Sequence, residues 1–322
     1  MCEAVSSRRN STAPNIFNAS CFLLKYDEVN RHTFLASSLP KTQQNMRYLT
    51  ILFTLLSAYT FAQQASCCVR PVSEQNAELA LNTNFASKHL EPTPFKLEKE
   101  KGQMLTFKTE YGEDARAYRV TPDTQTTKVV FLFHEWWGLN DYIKQEAEKL
   151  QAALGNVTVY AIDLYDGKVA TSVPEAQKYS SELSDTRARD IINSLRKLVG
   201  DKANIATMGW CMGGAWSLQA ALMLGKQAKA CVVYYGMPEQ DINKLKTLNC
   251  DVLGIFGTQD QHINESVVKG FEANMKKAGK KLTVHRYNAD HAFANPSNPK
   301  YNKEYTKDAY AKATSFLKTR LK

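Results

Sequence analysis

The 322-residue sequence is poor in the features that mark membrane, nucleic-acid and metal-binding proteins. Its most apolar stretch, Leu49 to Phe61, falls short of the roughly 20 residues that a bilayer-spanning helix needs. It has no arginine-rich arm, no zinc-ligand spacing, no nucleic-acid motif and no internal repeat. A formal charge of +9 hints at an acidic partner, but its lysines are scattered through amphipathic stretches such as "ANMKKAGKK" and "KDAYAKATSFLKTRLK". That distribution describes a solvated basic surface. Cysteine is sparse as well, at seven residues.

What remains is the composition of a soluble globular protein, 43% hydrophobic and 23% charged, long enough for one large α/β core or two small domains. The stretch "MRYLTILFTLLSAYTFAQQ" (Met46 to Gln64) has a basic start at Arg47, an apolar centre, and Thr60 and Ala62 placed as a small-residue cleavage site. It reads as a secretory signal peptide over residues 46–62, cleaved near Ala62. Such leaders work at the extreme N-terminus, so residues 1–45 read as an upstream extension, disordered or not translated. The alternative is that Leu49 to Phe61 is a buried helix of a true N-terminal domain. Export implies a periplasmic or extracellular protein without stable membrane association. Of the cysteines, Cys67, Cys68, Cys211, Cys231 and Cys250 then remain, an odd number that leaves a free thiol or an intermolecular bridge.

Residues 63–94 are polar and punctuated, an arm or linker with one short helical stretch near Ala77 to Ser87. From 95 to 322 strand-like and helical segments alternate. The strands include "MLTFKT", "ARAYRV", "KVVFLF", "VTVYAIDLY", "ANIATMG", "KACVVYYG", "CDVLGIFG" and "LTVHRY". Continuous apolar runs separated by helices predict a single α/β domain, a mostly parallel sheet with helices on both faces. In such sheets the chemistry gathers beyond the C-terminal ends of the strands.

Cys211 lies in "GWCMGG", between a strand and a helix, in the pattern Gly-x-Cys-x-Gly. This is the nucleophile elbow, a strained turn whose glycines keep side chains clear of crowded backbone, with a helix N-terminus behind the sulfur to favour thiolate. A thiol nucleophile needs a base and an acid to orient it. His285 lies inside the strand "LTVHRY", whereas His291 lies in the loop just past it, so His291 is the better base. Asp251 opens its strand, Asp290 adjoins the base and Asp241 sits in an irregular stretch. Asp260, immediately beyond a strand's C-terminal end, is the fitting acid. His262 reads as structural beside it, Asp163 as a loop anchor and His134 as a structural loop residue. In "FLFHEWWGLND" the carboxylate of Glu135 is forced among aromatics, a costly placement that points to function. The same loop supplies a second backbone oxyanion donor beside the amide of Met212.

Together "HEWWGLN", "GWCMGG", "GTQDQHI" and "ADHAF" resemble the dienelactone hydrolase family of α/β-hydrolases, from about residue 100 to the C-terminus. The resemblance implies a triad of Cys211, Asp260 and His291, and a Glu135 that contacts the sulfur and takes its proton once substrate is bound. Dienelactone hydrolases carry two arginines for the substrate carboxylate, after the "DLY" strand end and after the histidine. Here Gly167 and Asn295 occupy those stretches, and Lys168 replaces the charge without the bidentate geometry. This argues against dienelactone itself as substrate.

The expected substrate pocket comprises Trp136, Trp137, Tyr165, Lys168, Trp210, Tyr234 and Phe293. The expected function is hydrolysis of lactones or small activated esters, with the amides of Trp136 and Met212 as oxyanion donors and no metal or organic cofactor. A thiolate is also a good leaving group, which disfavours amides. A monomer or small homo-oligomer without nucleic-acid partners is expected. The competing expectation is an exported protein of the same fold that binds a hydrophobic small molecule or partner without turnover.

Overall fold

The computed structural model describes residues 70–322 apart from 296 and 300. The upstream extension, the leader, Cys67 and Cys68 lie outside the described residues.

The strands are β1 (Gln103–Phe107), β2 (Ala115–Val120), β3 (Lys128–Phe133), β4 (Thr158–Asp163), β5 (Asn204–Trp210), β6 (Ala228–Tyr234), β7 (Asp251–Gly257) and β8 (Leu282–Tyr287). They form one sheet in the order β1-β2-β4-β3-β5-β6-β7-β8. The β1–β2 and β2–β4 pairs are antiparallel and all the others parallel. The apolar runs become the central strands: β4 is buried along its whole length, β3, β5 and β7 at all but their first residues. Edge strand β8 carries exposed residues at Thr283 and Arg286.

Helices begin with α1 (Val72–Leu81) and α2 (Thr83–Lys88), then α3 (Asp141–Leu154), α4 (Val173–Glu182), α5 (Asp185–Val199), α6 (Met212–Leu224), α7 (Ile242–Lys246), α8 (Glu265–Lys277) and α9 (Lys303–Arg320). Local chemistry fixes their ends. Asn140 caps α3 by accepting from Ile143 N, and Gly155 stops it at φ 79°. α6 is apolar on nearly every side and is the most deeply buried helix, packed on β5 and β6.

Residues 70–94, expected as an arm or linker, carry two helices instead of one short helical stretch. α1 and α2 bury Val72, Ala80, Phe85 and Ala86, and α1 packs on α4. Asn82 caps α2 by accepting from Phe85 N, and "EPTP" after it stops further helix. Thr93 O accepts from Tyr142 Oη at 3.0 Å and Leu97 N donates to Asp141 at 3.0 Å, so the segment is stitched onto α3.

Candidate active site

Four loops at the C-terminal ends of β3, β5, β7 and β8 converge on Cys211. The residue has φ 53° and ψ −120°, a strained conformation for a side chain with a β-carbon, and it opens α6. Tyr234 O accepts from Cys211 N at 3.0 Å and holds the turn against β6. The turn is only possible with glycine beside it. A β-carbon on Gly209 would lie 2.1 Å from Gly213 O, and one on Gly213 would lie 2.3 Å from His134 O.

His291, past β8, has Nε2 3.2 Å from Cys211 Sγ. Its Nδ1 donates to Asp260 Oδ2 at 2.6 Å. Asp260 Oδ1 accepts from the amides of His262 and Ile263, both at 2.9 Å, which fixes the carboxylate. All three side chains are buried. Burial works against a charged imidazole, but the Asp260 carboxylate and the Cys211 sulfur outweigh it and hold His291 well above the usual histidine range. Burial likewise opposes the Asp260 charge, and His291 overcomes it to keep this carboxyl below its ordinary value. The arrangement can store a proton on His291 and leave nucleophilic sulfur beside it.

His134 and Asp163 are anchors, as expected. His134 Nε2 accepts from Leu164 N at 3.0 Å while Nδ1 faces Glu135 O, tying the β3 loop to the end of β4. Asp163 accepts from the amides of Tyr165 and Gly167. His262 stacks edge-on against Phe85 beside the acid.

Glu135 departs from its expected contact. It is buried, but Oε1 accepts from Ser297 Oγ at 3.1 Å, and its other oxygen has no hydrogen-bond partner. The sulfur's neighbours are two imidazoles. Desolvation by burial pushes the Glu135 carboxyl up to about 7, moderated by Ser297, His291 and Asn295. Folded Glu135 therefore keeps its proton across a pH window in which an unfolded glutamate, near 4.5, has lost it. The folded state binds more protons there, so its stability falls as pH rises through that window. Glu135→Gln has no such titration. Urea unfolding should show it gaining on the wild type by about 2–3 kcal/mol between roughly pH 5 and 7.5; parallel pH profiles for the two proteins would contradict this placement.

A narrow cavity, with space for about one water molecule, adjoins the sulfur. Its apolar walls include Leu79, Phe85, Trp136 and Ile263, its polar ones Asn76 and Tyr235. Of the expected pocket residues only Trp136 lines it. Trp210 and Tyr234 are register partners that pack on each other, ring centroids 5.5 Å apart. Positive φ at Tyr235 turns the chain after β6, so that Tyr235 rather than Tyr234 reaches the cavity. Trp137 is buried with Trp136, Ala170 and Ala176. Tyr165 Oη donates to Met212 Sδ at 3.2 Å. Lys168 is spent on an exposed ion pair with Glu182, and Phe293 lines a separate depression beside His291.

Sequence reasoning missed His89, which caps the end of α2. Its Nε2 lies 3.9 Å from Cys211 Sγ, and its Nδ1 donates to Phe85 O at 2.8 Å. Burial, then His291, push His89 down to about 3, so it is neutral at physiological pH. Its signal was slight: a lone histidine in a polar segment, 122 positions from the cysteine.

A mostly parallel sheet whose strand ends gather a thiol at a strand-to-helix elbow, an imidazole and a carboxylate defines an α/β-hydrolase. The dienelactone hydrolase family profile matches residues 115–321, and the chain belongs to that family. Protein usf of Aquifex pyrophilus is 26% identical over 231 residues, 67% of this chain and 98% of its own length. Carboxymethylenebutenolidase 1 of Cupriavidus pinatubonensis is 24% identical over 215 residues, 62% of this chain and 90% of its own. The crystal structure of a dienelactone hydrolase-like promiscuous phosphotriesterase from metagenomic libraries superposes with a TM-score of 0.57. It is 18% identical and covers 68% of this chain and 99% of its own, a likeness of fold.

Proposed function

We propose that the protein is an exported hydrolase of lactones and small activated carboxylic esters, acting through an acyl-cysteine. The observation that carries this reading is the chain of contacts Cys211–His291–Asp260, at 3.2 and 2.6 Å, on the loop edge of the sheet. Cys211 sulfur attacks the carbonyl carbon, and the backbone amides of Trp136 and Met212 receive the oxyanion. His291 Nε2–H then protonates the departing alkoxide, and the C–O bond breaks. Water, deprotonated by His291, attacks the thioester, and the sulfur leaves as thiolate. Asp260 holds the imidazole in the tautomer that each step requires. Glu135 is the site's buried acid reserve, close enough to His291 to feel its charge.

The cavity wall also selects substrate. Among the described residues neither lysine nor arginine lines it, while Asn76 Nδ2 and Tyr235 Oη are buried there without hydrogen-bond partners. Two neutral donors suit a neutral acceptor, a lactone or ester oxygen, better than a carboxylate. The narrow space favours small acyl groups.

A kinetic panel on residues 63–322 tests the reading. p-Nitrophenyl acetate and a neutral enol lactone should be hydrolysed, the corresponding p-nitroanilide should not, and a carboxylate-bearing lactone should be a poorer substrate than the neutral one. Absence of turnover with every ester and lactone would refute the proposal.

A further inference from the structure

The site holds three potential acceptor atoms but little hydrogen to satisfy them. His89 Nδ1 donates to a backbone carbonyl, so a neutral His89 presents the lone pair of Nε2 to Cys211 Sγ at 3.9 Å. His291 Nε2 faces the same sulfur at 3.2 Å. All three donor atoms lie within 4.8 Å of one another and all three residues are buried. A cation with bonds of about 2.0–2.1 Å to nitrogen and 2.3 Å to sulfur needs nitrogen-to-sulfur separations near 3.5 Å, which these two distances bracket. The outer partners are also right. Histidines that bind metal donate their other ring N–H to a carboxylate or a backbone carbonyl, here Asp260 for His291 and Phe85 O for His89.

We propose that His89, Cys211 and His291 form an inhibitory site for a single soft d10 cation, Cu+ in particular. Thiolate and imidazole suit a soft ion, and the thioether-bearing Met212 and Met237 line the same cavity. The cation takes the place of the proton shared by Cys211 and His291, forming bonds to sulfur and both nitrogens, with no change of oxidation state. The site would then admit substrate or the ion, not both.

The test is anaerobic titration of the full chain with Cu+ buffered by a chromophoric chelator, read as protection of Cys211 from iodoacetamide by peptide mass mapping. The other thiols lie in peptides separate from that of Cys211, and the readout does not depend on any hydrolytic activity, so this proposal and the proposed function fail separately. Cu+ should protect Cys211 reversibly, and excess chelator should restore alkylation. Both His89→Phe and His89→Gln, checked for native circular dichroism, should need more than about 100-fold higher free Cu+, since loss of even an outer partner costs about 10–100-fold in metal affinity. Equal protection in wild type and both variants would overturn the site. Tighter protection by Zn2+ than by Cu+ would overturn the choice of ion.

Discussion

Cys211→Ala should lower kcat/KM for p-nitrophenyl acetate by at least about 10^4-fold, because the groups around it act only through the sulfur. His291 Nε2 faces the sulfur and Asp260 is bonded to the far side of that imidazole, so without the thiol neither has an acyl group to transfer. Fold stability should change little by comparison. The sulfur is buried, but its removal opens only a small void next to an existing cavity. Stopped-flow release of p-nitrophenol, with urea unfolding in parallel, separates the two effects. Wild-type rates in Cys211→Ala would remove the sulfur from the mechanism.

Gly213→Ala should be severely destabilising for so small a substitution. A β-carbon there would lie 2.3 Å from His134 O and 2.4 Å from Phe133 O, both rigid backbone at the end of β3. Relief requires α6 to lift off the strands on which it packs. Overpacking against movable side chains costs about 1–3 kcal/mol, and backbone cannot rotate aside, so a loss of about 3 kcal/mol or more is expected. Gly270 is the internal comparison. It lies inside α8, where a β-carbon would meet nothing within 4 Å, so Gly270→Ala should stabilise by about 0.5–1 kcal/mol. Urea midpoints of the two variants should move in opposite directions; equal shifts would mean that α6 does not lie so close to β3.

Much of this site was legible because parallel-sheet strands are continuous apolar runs. "KVVFLF" and "CDVLGIFG" announce where they end, and chemistry collects just beyond. That logic leads from the elbow to Cys211, His291 and Asp260. It also reads His134 and Asp163 as anchors. Side-chain direction at strand ends was not legible in the same way. One positive φ exchanges Tyr234 for Tyr235, and no residue pattern announces it. Nor did the arm declare itself. α1 and α2 are short, and Phe85 and His89 acquire meaning only through contact with Trp136, His262 and His291, far along the chain. Glu135 was recognised by its cost of burial, but its partner, Ser297, lies 162 positions away.

The arm also sets the size of what can enter. Phe85 closes the cavity against Trp136 and His291, so bulky acyl groups require α2 to shift. A cavity with room for about one water molecule admits even a small lactone only when these side chains give way.

The most direct measurement is capture of the covalent intermediate. The protein is mixed with p-nitrophenyl trimethylacetate, whose hindered acyl group hydrolyses slowly, quenched in acid and digested for peptide mass mapping. A trimethylacetyl group on the peptide containing Cys211, formed in step with the burst of p-nitrophenol and absent from Cys211→Ala, is the result predicted. A burst with the acyl group on another residue, or with no acylated peptide, would contradict nucleophilic attack by Cys211.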